Sequence, residues 1–302
     1  MNPPMLVKWL RAVAALPRTL ARTPHPRLVM TLLVKNEEEL LEQNLIFHKA
    51  MGVDAFIVTD NNSTDRTPEI LRRYVERGWI VEVISEPATD YAQKAWVDRM
   101  IGLAATRYGA DWVINADADE FWYAPSGCLK DAMCATRANV LDCTVRNVYP
   151  EEGRPWTTWD RTVRAVETPE AYDLSRYSIF GRQGKKVAHR AAGYLQISMG
   201  NHKVAMFPRR SAVSDIVVYH YNIRDKAQFI AKMINGGKQL EQHRGRHGGR
   251  HWRYFYALYQ QGALEAEYGR VVGATAADRL AADGYIVPDD AMARMFRKLG
   301  VK

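Results

Sequence analysis

The chain has 302 residues, 47% hydrophobic and 25% charged, enough for one large domain or two small ones and unlike a disordered chain. Lys and Arg number 42 against 34 Asp and Glu, a net charge of +8 with a pI near 9.3, which points to an anionic partner such as a nucleotide phosphate, an acidic lipid surface or nucleic acid. Cys128, Cys134 and Cys143 lack paired C-x-x-C spacing, which argues against a disulfide framework or zinc site, and no apolar run reaches the ~18–20 residues of a membrane span.

Residues 1–27 carry Lys8, Arg11, Arg18, Arg22 and Arg27 and no acid, with Leu6, Trp9, Leu10, Val13 and Leu16 at helical spacing until Pro17 breaks the run. Two readings fit this basic amphipathic segment. It is either a short helix lying on an anionic membrane surface, the inner face of the plasma membrane, or an ordinary helix packed on its own domain. A signal peptide fits worse, because no small-residue cleavage site follows an unbroken apolar core.

From residue 28 the pattern predicts strands and helices in alternation. Residues 28–34 are apolar and β-prone. Glu37, Glu38 and Glu39 suit the first turn of a helix, which is expected to run to about Met51. Residues 53–59 form the next strand, and Asp60-Asn61-Asn62-Ser63-Thr64-Asp65 is a loop dense in turn formers. Thr67-Pro68-Glu69 opens a second helix, with Pro where a missing N–H costs little. A third strand is expected over 79–84, a third helix over 92–108 and a fourth strand over 111–115. This order predicts an α/β fold, a doubly wound and mostly parallel sheet flanked by helices, whose ligands bind beyond the carboxyl ends of the strands. Three loops, at 34–37, 60–65 and 115–120, fall at those ends and would line one crevice.

The third loop reads Asn115-Ala116-Asp117-Ala118-Asp119-Glu120-Phe121-Trp122. In an extended chain Asp117 and Asp119 point the same way, about 6.5–7 Å apart, with Glu120 on the opposite side. Such a pair suits a hard cation, Mg2+ or Mn2+, with diphosphate oxygens filling other positions. A solvated turn would use the same residues without one.

Beyond Phe121 the rhythm changes to a mixed β region, with strands expected over 140–149, 185–189, 194–198 and 212–219 and a helix over 224–234. Gly236-Gly237 marks a break before a helical, basic C-terminal appendage, 237–302, with helices over 250–262, 273–282 and 289–299. Trp156, Trp159, Tyr172 and Tyr177, with Arg161, Arg164, Arg176 and Arg182, suit an acceptor cleft in 150–200 or an aromatic packing layer.

Taken in order, VKNE (34–37), TDNNSTDRT (59–67), QKAWVDRMI (93–101), NADADEFW (115–122), GNHKV (200–204) and VVYHYNIRDKAQFIAKM (217–233) resemble the family 2-type glycosyltransferases, in particular a subgroup whose metal motif continues as D-x-D-E-F/W. The resemblance implies a GT-A type domain over 28–236, with a nucleotide-sugar half (28–122) and an acceptor half (123–236). It implies inverting transfer of a sugar from a nucleoside-diphosphate sugar, a UDP-sugar for choice, to a glycan or lipid-linked acceptor, with Mn2+ or Mg2+. Val34, Lys35 and Glu37 match the first nucleotide-contacting loop, and Asp60 the acid that contacts base or ribose. Asn61 stands where relatives often carry a second acid, and Lys94 where they put a basic nucleotide contact. Asp119 matches the metal ligand, and Asp117 faces ribose or metal. His220 is a candidate third ligand or diphosphate contact, with His202 the alternative. The acceptor's proton needs a base, for which Asp215 is favoured over Glu120, Glu151, Glu152 and Asp173.

Family habit and the basic N-terminus suggest cell-surface polysaccharide or lipopolysaccharide synthesis by a cytoplasmic or peripheral membrane enzyme. Two rivals use other features. A sugar nucleotidyltransferase would carry a Gly-rich loop after the first strand, which VKNEEE lacks. A nucleic-acid-binding protein would use QHRGRHGGRHWRYFYALY (242–259), but the basic residues avoid the acidic crevice, so no nucleic acid is expected.

Overall fold

A computed structural model describes residues 3–88, 93–242, 249–272 and 274–301. Ala92, the expected start of the third helix, and His243, Arg244, Arg246 and His247 of the basic stretch lie outside the described residues. The chain divides into two compact units, Met1–Val145 with Gly184–Val218, and Arg146–Gln183 with Tyr219–Lys302.

The first unit opens with α1 (Met5–Ala14) and α2 (Leu16–Leu20), then alternates β1 (Leu28–Val34), α3 (Leu41–Ala50), β2 (Ala55–Asp60), α4 (Thr67–Glu76), β3 (Ile80–Ser85), α5 (Gln93–Thr106) and β4 (Trp112–Ala116). β5 (Glu120–Tyr123), α6 (Leu129–Ala135) and β6 (Val140–Asn147) follow. After β7 (Arg161–Val163), which belongs to the second unit, come β8 (Lys186–Arg190), β9 (Tyr194–Ile197), β10 (Val204–Met206) and β11 (Ser211–His220). The main sheet has the order β3-β2-β1-β4-β8-β6-β11-β5. β2 and β4 flank β1 in parallel, and β3 continues the parallel half. β8 then runs antiparallel to both β4 and β6. β1, LVMTLLV, is buried along nearly its whole length, as a strand covered on both faces must be. Val97, Met100, Ile101 and Ala104 of α5 recur at helical spacing and pack on Val29, Ile57 and Val113.

The start of the first expected helix moves. The helix after β1 begins at Leu41 rather than at the acidic run. Glu37 starts a turn instead, its carbonyl accepting from Leu40 and Leu41 N–H at 3.1 and 2.9 Å.

The second unit holds α7 (Lys226–Gln242), α8 (Arg250–Gln260), α9 (Leu264–Val272), α10 (Ala274–Ala282), β12 (Ile286–Pro288) and α11 (Ala291–Leu299), with β12 antiparallel to β7. Its core gathers Phe180, Phe229, Phe255, Tyr268, Val271 and Leu280. Gly236 and Gly237, read from the sequence as a break, lie inside α7. A Cβ on Gly236 would come within 2.5 Å of the Trp252 ring, and one on Gly237 within 2.2 Å of Tyr256. The glycines are there to let α8 approach. α9 had no expectation in the sequence.

Candidate active site

At the carboxyl edge of the parallel half, Val34 pairs with Asp60 and Leu32 with Ala116, so the loops after β1, β2 and β4 leave from one edge. The first two are laced together. Asn36, at φ 55°, donates its N–H to Ser63 Oγ at 3.0 Å and accepts from Thr64 N–H at 2.7 Å. Glu37 N–H reaches Thr67 Oγ1 at 2.8 Å, and Glu38 accepts from Arg66 N–H at 3.0 Å. These contacts explain why the acids at 37–39 do not start the helix. Asp60 Oδ1 accepts from Ser63 N–H and Oγ at 3.1 and 2.6 Å, which fixes the carboxylate at the strand end. Asn61 is buried, and its amide donates to the carbonyls of Glu86 and Ala88 at 3.0 and 2.8 Å. A carboxylate in this place could make neither bond. Lys35 is exposed.

The acidic loop is a turn and not the extended segment expected. Glu120 N–H closes it by donating to the Asp117 carbonyl at 3.1 Å, so Asp117 and Asp119 are not simple alternating residues of one face. The Asp117 side chain keeps 39% exposure, whereas Asp119 and Glu120 are buried. Helix α3 holds the turn from beneath. Asn44 Nδ2 donates to the carbonyls of Ala118 and Glu120, each at 3.0 Å. His48 Nε2 accepts from Trp122 N–H at 3.0 Å, which makes Nδ1 the protonated nitrogen, facing Asn44 O and Oδ1 at 2.9 Å. Burial holds the His48 ring neutral by lowering its pKa to about 3, against a smaller opposing effect of the bond to Asn44.

Lys186, at the start of β8, was not singled out in the sequence. It is buried, with Nζ 2.5 Å from Glu120 Oε1 and 3.5 Å from Asp117 Oδ2. Burial alone would lower its pKa, but Glu120 and then Asp117 outweigh it and push the pKa up, so the ammonium stays charged. The available signal was a lysine pair opening a strand, where alternation turns one of the two inward. Glu120, a candidate base, is thus ion-paired in the interior. Asp215 is exposed on β11 and accepts a long hydrogen bond from Ser214 Oγ, 3.5 Å. Among the described residues no hydrogen bond or ion pair ties Asp215 or Lys94 to the turn; Lys94 is half-buried near the start of α5.

His202 lies close to Gly184 and Gly200, where added Cβ atoms would meet its ring at 2.9 and 2.8 Å. Its Nδ1 donates to the Lys185 carbonyl at 2.9 Å, which leaves the lone pair on Nε2, the tautomer of a metal-binding histidine. Among the described residues no three His, Cys, Asp or Glu side chains converge as a cation cage. Asp117 and Asp119 are hard carboxylates of one turn, the type of donor that could hold Mg2+ or Mn2+, ions that take one or two carboxylates and complete their shell with water and substrate phosphate.

His220 belongs to the second unit, where it lines a cavity of about 100 Å3 with Asn222, Lys232 and His251. Of the aromatics expected to form an acceptor cleft, Trp156 and Trp159 pack on Tyr221. Tyr177 and Arg176 instead line an open groove of about 410 Å3 with Tyr254, Glu267 and Arg270.

The family described as Glycosyl transferase family 2 matches residues 32–213, more than half of the chain. No curated protein matches. Among solved structures, S. aureus TarS 1-349 is 15% identical with a TM-score of 0.43, over 85% of this chain and 75% of that one. The mannosyltransferase PcManGT from Pyrobaculum calidifontis, in complex with GDP-Man and Mn2+, is 18% identical with a TM-score of 0.44, over 92% and 86%. Glucosyl-3-phosphoglycerate synthase from Mycobacterium tuberculosis, in complex with Mn2+, UDP and glucosyl-3-phosphoglycerate, is 19% identical with a TM-score of 0.30, over 60% and 61%.

Proposed function

The chain belongs to glycosyl transferase family 2, and from that premise we propose that it transfers a sugar, with inversion, from a nucleoside-diphosphate sugar to a hydroxyl of a glycan or lipid-linked acceptor. It is a glycosyltransferase of GT-A type fold. In this reading the donor is a UDP-sugar, the work belongs to cell-surface polysaccharide or lipopolysaccharide synthesis, and a lipid-borne acceptor brings the reaction to a membrane surface. The observation that carries the reading is the acidic turn at the carboxyl edge of β4, beside the laced loops after β1 and β2.

The loop of Val34, Lys35 and Glu37 and the fixed carboxylate of Asp60 receive the nucleoside, while Asn61 holds the loop after β3 in place. Asp117 and Asp119 would hold Mn2+ or Mg2+, with Asp119 the main ligand and His202 preferred to His220 as a further one. A cation bound there supplies Lewis-acid neutralisation of the charge growing on the departing diphosphate. Lys186 ties Glu120 into an interior ion pair, Glu151 and Asp173 pair with arginines and Glu152 accepts from the Tyr268 hydroxyl, so Asp215 stays the preferred carboxylate to take the acceptor's proton.

A screen of sugar-nucleotide hydrolysis with and without Mn2+ tests the reading. Asp119→Ala is expected to abolish metal-dependent turnover with the fold intact. Full activity without a divalent cation, or in Asp119→Ala, overturns the metal assignment. A near-wild-type transfer rate in Asp215→Asn removes it as the base.

A further inference from the structure

Helix α1 is oriented oddly for a helix that serves only its own core. The residues it buries are Lys8 and Ala12. Lys8 Nζ meets Asp98 Oδ2 at 3.3 Å and sits 5.5 Å from the centre of the Tyr194 ring, whose hydroxyl donates to the same carboxylate. The helix is therefore anchored through a charge. Its apolar residues turn outward, with Leu6 exposed by 71%, Leu10 by 63%, Val13 by 48%, Met5 by 45% and Trp9 by 41%. Positions 5, 6, 9, 10 and 13 form one stripe of an α-helix.

The surroundings of the stripe are basic. Arg11, Arg18, Arg22 and Arg27 are all exposed, and no acid occurs in the first 27 residues. The Trp9 ring lies 5.0 Å from that of Phe207, and the neighbouring Arg209 and Arg210 are also exposed. We propose that this face of α1 is a docking surface for an anionic phospholipid bilayer, with Leu6, Leu10 and Val13 entering the headgroup–acyl boundary and the arginines facing lipid phosphates.

A bilayer satisfies both halves of the pattern, because an interfacial helix buries only a shallow apolar face and gains from anionic headgroups around it. A second copy of the chain satisfies only one, since it would bring the same arginines against themselves. Among the described residues no helix is long and apolar enough to cross a membrane, so docking is at the surface. Trp9, at the edge of the stripe, is of the type favoured at a membrane–water boundary.

Cosedimentation of the full chain with vesicles tests the proposal, using phosphatidylcholine alone and phosphatidylcholine with phosphatidylglycerol. The chain should bind the anionic vesicles roughly 10-fold more tightly or better, and lose affinity as salt is raised. The double substitution Leu6→Glu with Leu10→Glu should weaken that binding about 10-fold or more, while the melting temperature and nucleotide binding in solution stay as in the wild type. Failure of the wild type to bind anionic vesicles, or equal binding by the double variant, overturns the proposal. A concentration-dependent dimer that the same substitutions abolish, without vesicle binding, also overturns it and gives the face to a second copy.

Discussion

Asn61 and Lys186 show what single side chains contribute to the candidate site. A carboxylate at position 61 would lose both donors to the Glu86 and Ala88 carbonyls and set a charge against two oxygen dipoles in a buried place. Asn61→Asp is therefore expected to cost about 3 kcal/mol of stability by urea unfolding; a loss within experimental error would show that the amide is not the latch. Lys186 presents the converse case. Lys186→Met strands the buried Glu120 carboxylate and is expected to cost about 3–5 kcal/mol, whereas adding Glu120→Gln should restore much of that loss, because the penalty comes from the unpaired charge. Additive losses in the double mutant would refute the pairing. The position of Asp60, Asp117 and Asp119 at or beyond the ends of β2 and β4 could be read in the sequence, because each follows an apolar run. Lys186 was not, since a lysine shows its burial only when its strand is seated between two others.

At the scale of elements, the parallel half of the sheet could be read because β1, β2 and β4 are largely apolar and buried and the crossovers between its strands are long. The shape of the acidic loop could not, because a turn closed by Glu120 N–H and held by Asn44 depends on contacts 74 and 76 residues apart in sequence. The glycine pair of α7 was misread for a similar reason. Two adjacent glycines weaken a helix locally, and only the neighbouring α8 reveals why they are tolerated. Gly237→Ala places a Cβ 2.2 Å from Tyr256 Cβ, and the overpacking is expected to cost about 1–3 kcal/mol. The melting temperature measures it. An unchanged or raised value, as expected for Gly→Ala in an open helix, would mean that α7 and α8 do not approach as closely as described.

For the whole molecule, the sequence could not show that each unit is assembled from two separated segments, because the residues that enter and leave a unit carry no compositional mark. Burial across the first unit nevertheless has a consequence measurable on the entire chain. His48 and His189 are fully buried, and burial lowers their pKa values to about 3 and about 4, in each case against a smaller effect of a backbone hydrogen bond. Below pH 6.5, the ordinary value, the unfolded chain takes up two protons that the folded chain refuses. Stability is thus complete above about pH 6.5 and is lost as the pH falls towards 4 and then 3, by about 1.4 kcal/mol per pH unit for each ring. Carboxylates add their own acid dependence in every variant, so the informative quantity is a difference. His48→Gln keeps an acceptor for Trp122 N–H without a titrating ring, and its stability should fall less steeply than that of the wild type between about pH 6 and pH 4, by about 1.4 kcal/mol per unit. Parallel pH profiles for the two proteins would mean that His48 is protonated in the fold, and Trp122 N–H would then lose the acceptor that helps hold the acidic turn.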